Sequence, residues 1–193
     1  AMKLWVKDDQ QPPDSRYPRI DDGTLVPIDA VDFPAIHGIE VPRVIHEAYR
    51  ADYGPRWDQG VVDHQPPRLG KAFPALVSQV DRFGNEMAGV RMVEVRVPLA
   101  TFYPWTLRHE HAGGVGEIVD FWGTTIPLPT SDGDSPGQED PRPSISELYE
   151  TKAEYLARIR KAIADLVGER FLLEEDAAYV EHRASEQWDW IHR

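Results

Sequence analysis

Few residues in this chain combine the types and spacing that chemistry needs, and three of them are adjacent: His109, Glu110 and His111. On an extended backbone an H-x-H pair projects both imidazoles to one side, as a metal site or a proton-transfer pair requires. A metal site also needs a third donor. Asp63 and His64 are of the right type, but no spacing ties either to the pair. The competing reading is a solvated loop, because Gly113, Gly114 and Gly116 follow directly. We expect no bound metal and no cofactor, with His109 and His111 as the residues that would hold a metal if one bound. For His37, His46, His182 and His192, which are scattered, a surface position or a satisfied place in the core is the expectation.

Serine hydrolysis requires a nucleophile on a sharp strand-to-helix turn, written G-x-S-x-G, and the chain has no such motif. Its serines, including Ser15, Ser78, Ser131, Ser135, Ser144, Ser146 and Ser185, fall in turns, at helix caps or on a helix, and Ser78 alone falls on an expected strand. Adjacent carboxylates occur at Asp8-Asp9, Asp21-Asp22 and Glu174-Glu175, where solvated turns and a helix N-terminus account for them. With no cysteine, thiolate catalysis, disulfides and Cys-ligated metals are excluded. No catalytic residue is therefore expected. For substrate binding the candidates are Trp105 and Arg108, which after Pro104 could form an aromatic and cationic rim. An anchoring Trp beside an exposed Arg is the favoured alternative.

Composition narrows the partners. With 33 acidic against 21 basic residues the net charge is −12, and there is no Lys/Arg cluster to neutralise phosphates, so nucleic acid is not an expected partner. No apolar run reaches the length of a membrane span. The 193 residues suit one domain, and 17 prolines predict long extended connections.

The elements that must position these side chains begin with 1–9, read as the last turns of a helix ended by Lys7–Gln11 and Pro12-Pro13. The lack of an N-cap suits a chain cut inside a helix; alternatively Met2 is an initiator and Ala1 a cloning remnant. From Ser15 to Glu40, Pro18, Pro27 and Pro34 allow only short extended pieces such as Thr24–Val26, clamped by Tyr17, Leu25, Val31, Phe33 and Ile36. Arg43–Tyr53 reads as a strand with neither face cleanly apolar, Trp57 as an anchor, and Val61-Val62 as a short strand. Phe73–Val80 and Met87–Pro98, joined by a turn at Asp81–Asn85, read as a β-hairpin with Val93, Val95 and Val97 alternating.

Ile118–Leu128 is short and apolar, and Pro127–Pro143 is a Pro- and Gly-rich connector expected to be mobile. Ser144 with Glu147, and Thr151 with Glu154, have the S/T-x-x-E form of capping boxes. The second opens a helix over Lys152–Val167, whose Tyr155, Leu156, Ile159, Ala162, Ile163, Leu166 and Val167 form one stripe; Gly168 can end it. Glu174–Trp190 predicts a second helix finished by Trp188 and Trp190. The class is α+β: a strand-rich body over 1–126, a connector over 127–143 and a helical unit over 144–193, one domain overall.

Four ordered stretches, SRYPRIDDGTLVPIDAVDFPAIHGI (15–39), LVSQVDRFGNEMAGVRM (76–92), VPLATFYPWTLR (97–108) and DPRPSISELYETKAEYLARIRKAIADLVGERFLLEEDA (140–177), resemble the C-terminal part of a bacterial family of alpha/beta-hydrolase domain proteins. The resemblance implies that the serine elbow and the catalytic histidine of that family lie in a larger N-terminal part, and that Met2–Lys7 ends the helix following the hydrolase core. It further implies an accessory role in hydrolysis of esters or related acyl compounds, with that core as the partner and an exposed docking face prone to self-association. A stand-alone binding module without catalysis is the alternative. This chain reads Pro104-Trp105-Thr106-Leu107-Arg108 where the family often has Gly-Trp-Asn-Leu-Arg.

Overall fold

A computed structural model of the protein describes residues 2–43, 47–131 and 140–193. In chain order its elements are α1 (Met2–Asp8), β1 (Leu25–Pro27), β2 (Tyr49–Asp52), β3 (Arg68–Ala72), β4 (Leu76–Ser78), α2 (Val93–Arg96), β5 (Ala100–Tyr103), β6 (Thr124–Pro127), α3 (Ile145–Leu148), α4 (Lys152–Gly168) and α5 (Ala177–Ile191). The strands form three antiparallel pairs, β1–β4, β2–β3 and β5–β6. The class is α+β.

The core is built on α4. Its stripe at three- and four-residue spacing buries Tyr155, Ile159, Ala162, Ile163 and Leu166, with Leu156 and Val167 half-buried beside them. Each fully buried Ile or Leu side chain contributes about 2 kcal/mol. Thr151 caps the helix by accepting from the Glu154 N–H, but the Glu154 carboxylate reaches back to the Glu150 N–H, one residue earlier than a capping box requires. After Gly168 the chain turns at Arg170, whose φ of +66° ends the helix, and α5 returns antiparallel. The bridges Lys152–Asp189 and Arg160–Glu181 register the two helices. Trp188 packs on Tyr155 with ring centroids 5.1 Å apart, whereas Trp190 is exposed and anchors nothing.

Tyr155 is fully buried, yet its hydroxyl has no hydrogen-bond partner among the described residues. Burial also pushes its phenol up from the ordinary value. Removing an unsatisfied buried hydroxyl relieves its desolvation, so Tyr155→Phe is expected to stabilise the protein by about 1 kcal/mol, read as a higher urea midpoint at unchanged slope.

The central hairpin differs from the sequence expectation. Phe73–Val80 contributes β4, which pairs with β1 in the register Leu25↔Ser78, and not with 87–98. The Asp81–Asn85 turn is closed by an Asp81 N–H to Asn85 O bond of 2.8 Å and a Met87 N–H to Gln79 O bond of 3.0 Å, and the pairing goes no further than an isolated Val80↔Glu86 bridge. Val93–Arg96 is the helical turn α2. Val93 and Val97 are both buried against the α4 stripe, and a four-residue spacing fits a helix face as well as it fits a strand. Packing against α4 decided which period was used.

Two further expectations are corrected. Val61-Val62 is coil, and among the described residues of Arg43–Tyr53 a strand forms only over Tyr49–Asp52, where every residue is exposed. Val44–His46 and residues 132–139 of the expected mobile connector, Ser135 among them, lie outside the described residues. Directly after the connector, Ser144 and Glu147 form the complete capping box of α3. The first helix forms as expected, but all of its residues are exposed. Among the described residues no helix is long and apolar enough to cross a membrane.

Candidate functional site

The site grows from β5, the most deeply buried strand. On one side β6 pairs with it, Ala100↔Pro127 to Tyr103↔Thr124. On the other, a side chain replaces a strand. Asn85, at 0% exposure, donates from Nδ2 to Ala100 O at 2.9 Å and accepts the Phe102 N–H on Oδ1 at 2.7 Å. Asp81 shapes the turn that presents it, accepting from the N–H groups of Phe83 and Asn85 and pairing with Arg91 at 2.6 Å. Gly84 permits the approach: its φ is +75°, and a Cβ there would lie 2.8 Å from Thr101 Cγ2.

Thr101 links this turn to the connector. Its hydroxyl donates to Phe83 O and accepts from Arg142 Nη1 at 2.8 Å. The Arg142 guanidinium also donates to Ile126 O and Pro127 O, and pairs with Asp140 at 2.7 Å. Burial pushes the Asp140 carboxyl up, but the Arg142 side chain and backbone N–H outweigh it and hold the pKa below the ordinary value. The composition of the Pro-rich connector carried no sign of this buried ion pair.

Held in this way, the end of β5 forms one wall of an apolar cleft of about 290 Å³. Phe33 packs against Tyr103 and Trp105 with ring centroids 5.7 and 5.0 Å away, and Tyr103 lies 4.6 Å from Trp105. Val31, Val41, Val77, Val80, Phe102 and Ile118 are among the other apolar lining residues, and Ser78, Glu86 and Tyr103 are its polar members. The structure thus places Trp105 in the wall of a cleft while its indole N–H donates to Glu40 O at 3.0 Å, tying the Pro-rich 28–43 segment to β5. Arg108 does not line this cleft. Its guanidinium turns onto its own loop, donating to Gly113 O at 3.0 Å and Ala112 O at 3.3 Å.

That loop carries the histidines. His109, Glu110 and His111 lie at a single 3-10 turn with their ligand atoms within 4.8 Å of one another, all exposed. His109 Nδ1 accepts the His111 N–H at 3.3 Å. The outside donors considered from the sequence belong elsewhere: the Arg56 guanidinium pairs with Asp63 and holds its carboxyl below the ordinary value, and His64 faces Asp52 at 3.4 Å. Of the other serines, Ser144 caps α3 and Ser146 lies against it at 3.1 Å. Sequence reading had Trp105 and Phe33 as anchors but not Ser78, Glu86 and Tyr103 as their neighbours, since these join only when β4, β5 and the turn at 81–85 meet.

Searches of curated proteins and of solved structures gave no match. A family model described as alpha/beta hydrolase domain matches residues 1–182, which is nearly the whole length. The chain, with its cleft at the end of β5, belongs to the alpha/beta hydrolase domain family.

Proposed function

We propose that this chain is an accessory region of an α/β-hydrolase-like enzyme acting on esters or related acyl compounds, and that it is inactive alone. The observation that carries this reading is a contrast. The family match spans 1–182, while every strand pair among the described residues is antiparallel and two-stranded. A nucleophile elbow sits on top of a larger sheet, at a strand-to-helix turn. Ser78 ends β4, but the chain continues from it through coil to the Asp81–Asn85 turn, so that strand-to-helix geometry is not formed around it.

The helix α1 supports a docked role. Isolated helices shorter than about 12 residues are marginal in water, and this one of 7 residues exposes Met2, Leu4, Trp5 and Val6. A hydrolase core packed on that face would bury them, and without it they favour self-association. Purified chain is expected to hydrolyse 4-nitrophenyl butyrate at the rate of buffer alone and to self-associate in light scattering, with Leu4→Glu/Trp5→Glu shifting it toward monomer. Turnover above buffer that is abolished by Ser78→Ala would overturn the inactive reading. A monomer unaffected by the α1 substitutions would overturn the docked one. The cleft beside Trp105 favours a second reading, a binding module that functions without a catalytic partner.

A further inference from the structure

We propose that the cleft between Phe33 and Trp105 binds a small neutral ester, its apolar part against Phe33, Val77 and Trp105 and its carbonyl oxygen accepting from the hydroxyl of Ser78 or Tyr103. The choice of an ester among neutral ligands rests on the proposed function; the site itself does not.

Volume sets the first limit. At about 290 Å³ the cleft is at the small end of ligand sites and far too small for a helix or strand of a partner. Its wall is apolar and aromatic, which favours an aryl or short acyl group. The polar members set the second limit. Ser78 Oγ and Tyr103 Oη have no hydrogen-bond partner among the described residues and are available as donors, whereas the Trp105 N–H is already occupied by Glu40 O. Buried carbonyl acceptors need such donors. The third limit is charge. Among the described residues Glu86 is the only carboxylate in the lining and no Lys or Arg joins it, and the chain carries a net −12. A carboxylate ligand would meet one negative charge with no compensating cation, while its ester would not. The site therefore favours a neutral ligand over the corresponding carboxylate.

Methyl benzoate and benzoate share a ring and differ in this charge, so they form the test pair. Titrated calorimetrically into the full chain, methyl benzoate is expected to bind with a Kd on the order of 1 mM. Benzoate is expected to bind about tenfold more weakly, and Glu86→Gln to narrow that gap. Val77→Phe fills the cleft and should abolish binding. Ser78→Ala, which leaves the packing intact, should weaken the ester about fivefold if Ser78 is the donor, and Tyr103→Phe if Tyr103 is; a ligand indifferent to both changes would overturn the hydrogen bond. Benzoate binding as tightly as its ester, or ester binding unchanged in Val77→Phe that still shows a native spectrum, would overturn the proposal. So would the absence of saturable ester binding. Release of methanol during the titration reports separately on the inactive-alone reading, so failure of either one is recognisable.

Discussion

Arg142→Met is expected to destabilise the protein by about 3–5 kcal/mol, because it removes one partner of a buried ion pair and leaves the other uncompensated. The Arg142 side chain is 2% exposed and Asp140 13%. The substitution removes the guanidinium from four acceptors, Asp140, Thr101 Oγ1, Ile126 O and Pro127 O, and leaves Asp140 only the backbone N–H of residue 142. Urea denaturation measures the loss, and a change within about 0.5 kcal/mol, typical of a surface substitution, would show that the pair contributes nothing net.

The same pair gives the stability a pH dependence of defined sign. The Asp140 pKa in the folded protein lies below its ordinary 3.8, so its contribution is complete above that value and is lost as pH falls through the folded pKa. Wild-type stability should therefore fall on acidification below about pH 4. In Arg142→Met this part of the decline should vanish, because burial without the guanidinium no longer favours the carboxylate.

Asn85→Ala is expected to cost about 2–4 kcal/mol, since it strands two buried backbone groups, Ala100 O and the Phe102 N–H. Asn85→Asp keeps the volume and the acceptor toward Phe102 but sets a carboxylate oxygen against Ala100 O, so it should be no better tolerated than Ala. A tolerated Asp would mean that volume matters here and hydrogen bonding does not. Because Phe102 and Tyr103 line the cleft, methyl benzoate affinity should fall together with stability in both variants. Ester affinity kept at the wild-type value in Asn85→Ala, measured below its melting transition, would show that β5 holds its position without this side chain.

The helical half was legible because its signals are local. The stripe from Tyr155 to Leu166 repeats at the period of one helix face, and Ser144 with Glu147 satisfies each other's neighbourhood within one turn. The stretch from Val93 to Val97 was ambiguous for the same physical reason, since a four-residue spacing fits both periods. Its resolution required α4 as a packing surface. The strand partners were not legible either: β4 lies about fifty residues from β1, and in pairs this short no turn links the two.

For the site, residue type identified Trp105 and Arg108 but not what each does. Trp105 acts as wall and clamp because Glu40 O happens to lie opposite its N–H, and Arg108 holds its own loop because Ala112 O and Gly113 O are within reach. Asn85 in a turn and Arg142 in a Pro-rich connector carry no local signal of burial, and burial made them the supports of β5. By itself the sequence determined the α+β class, the C-terminal helices, the absence of a G-x-S-x-G elbow and the family. The first three follow from composition, periodicity and motif, which act along the chain, and the family from the resemblance of four ordered stretches. The cleft, its polar members and the two buried hydrogen-bond networks were decided only by the tertiary structure, because they depend on desolvating groups that are distant in sequence.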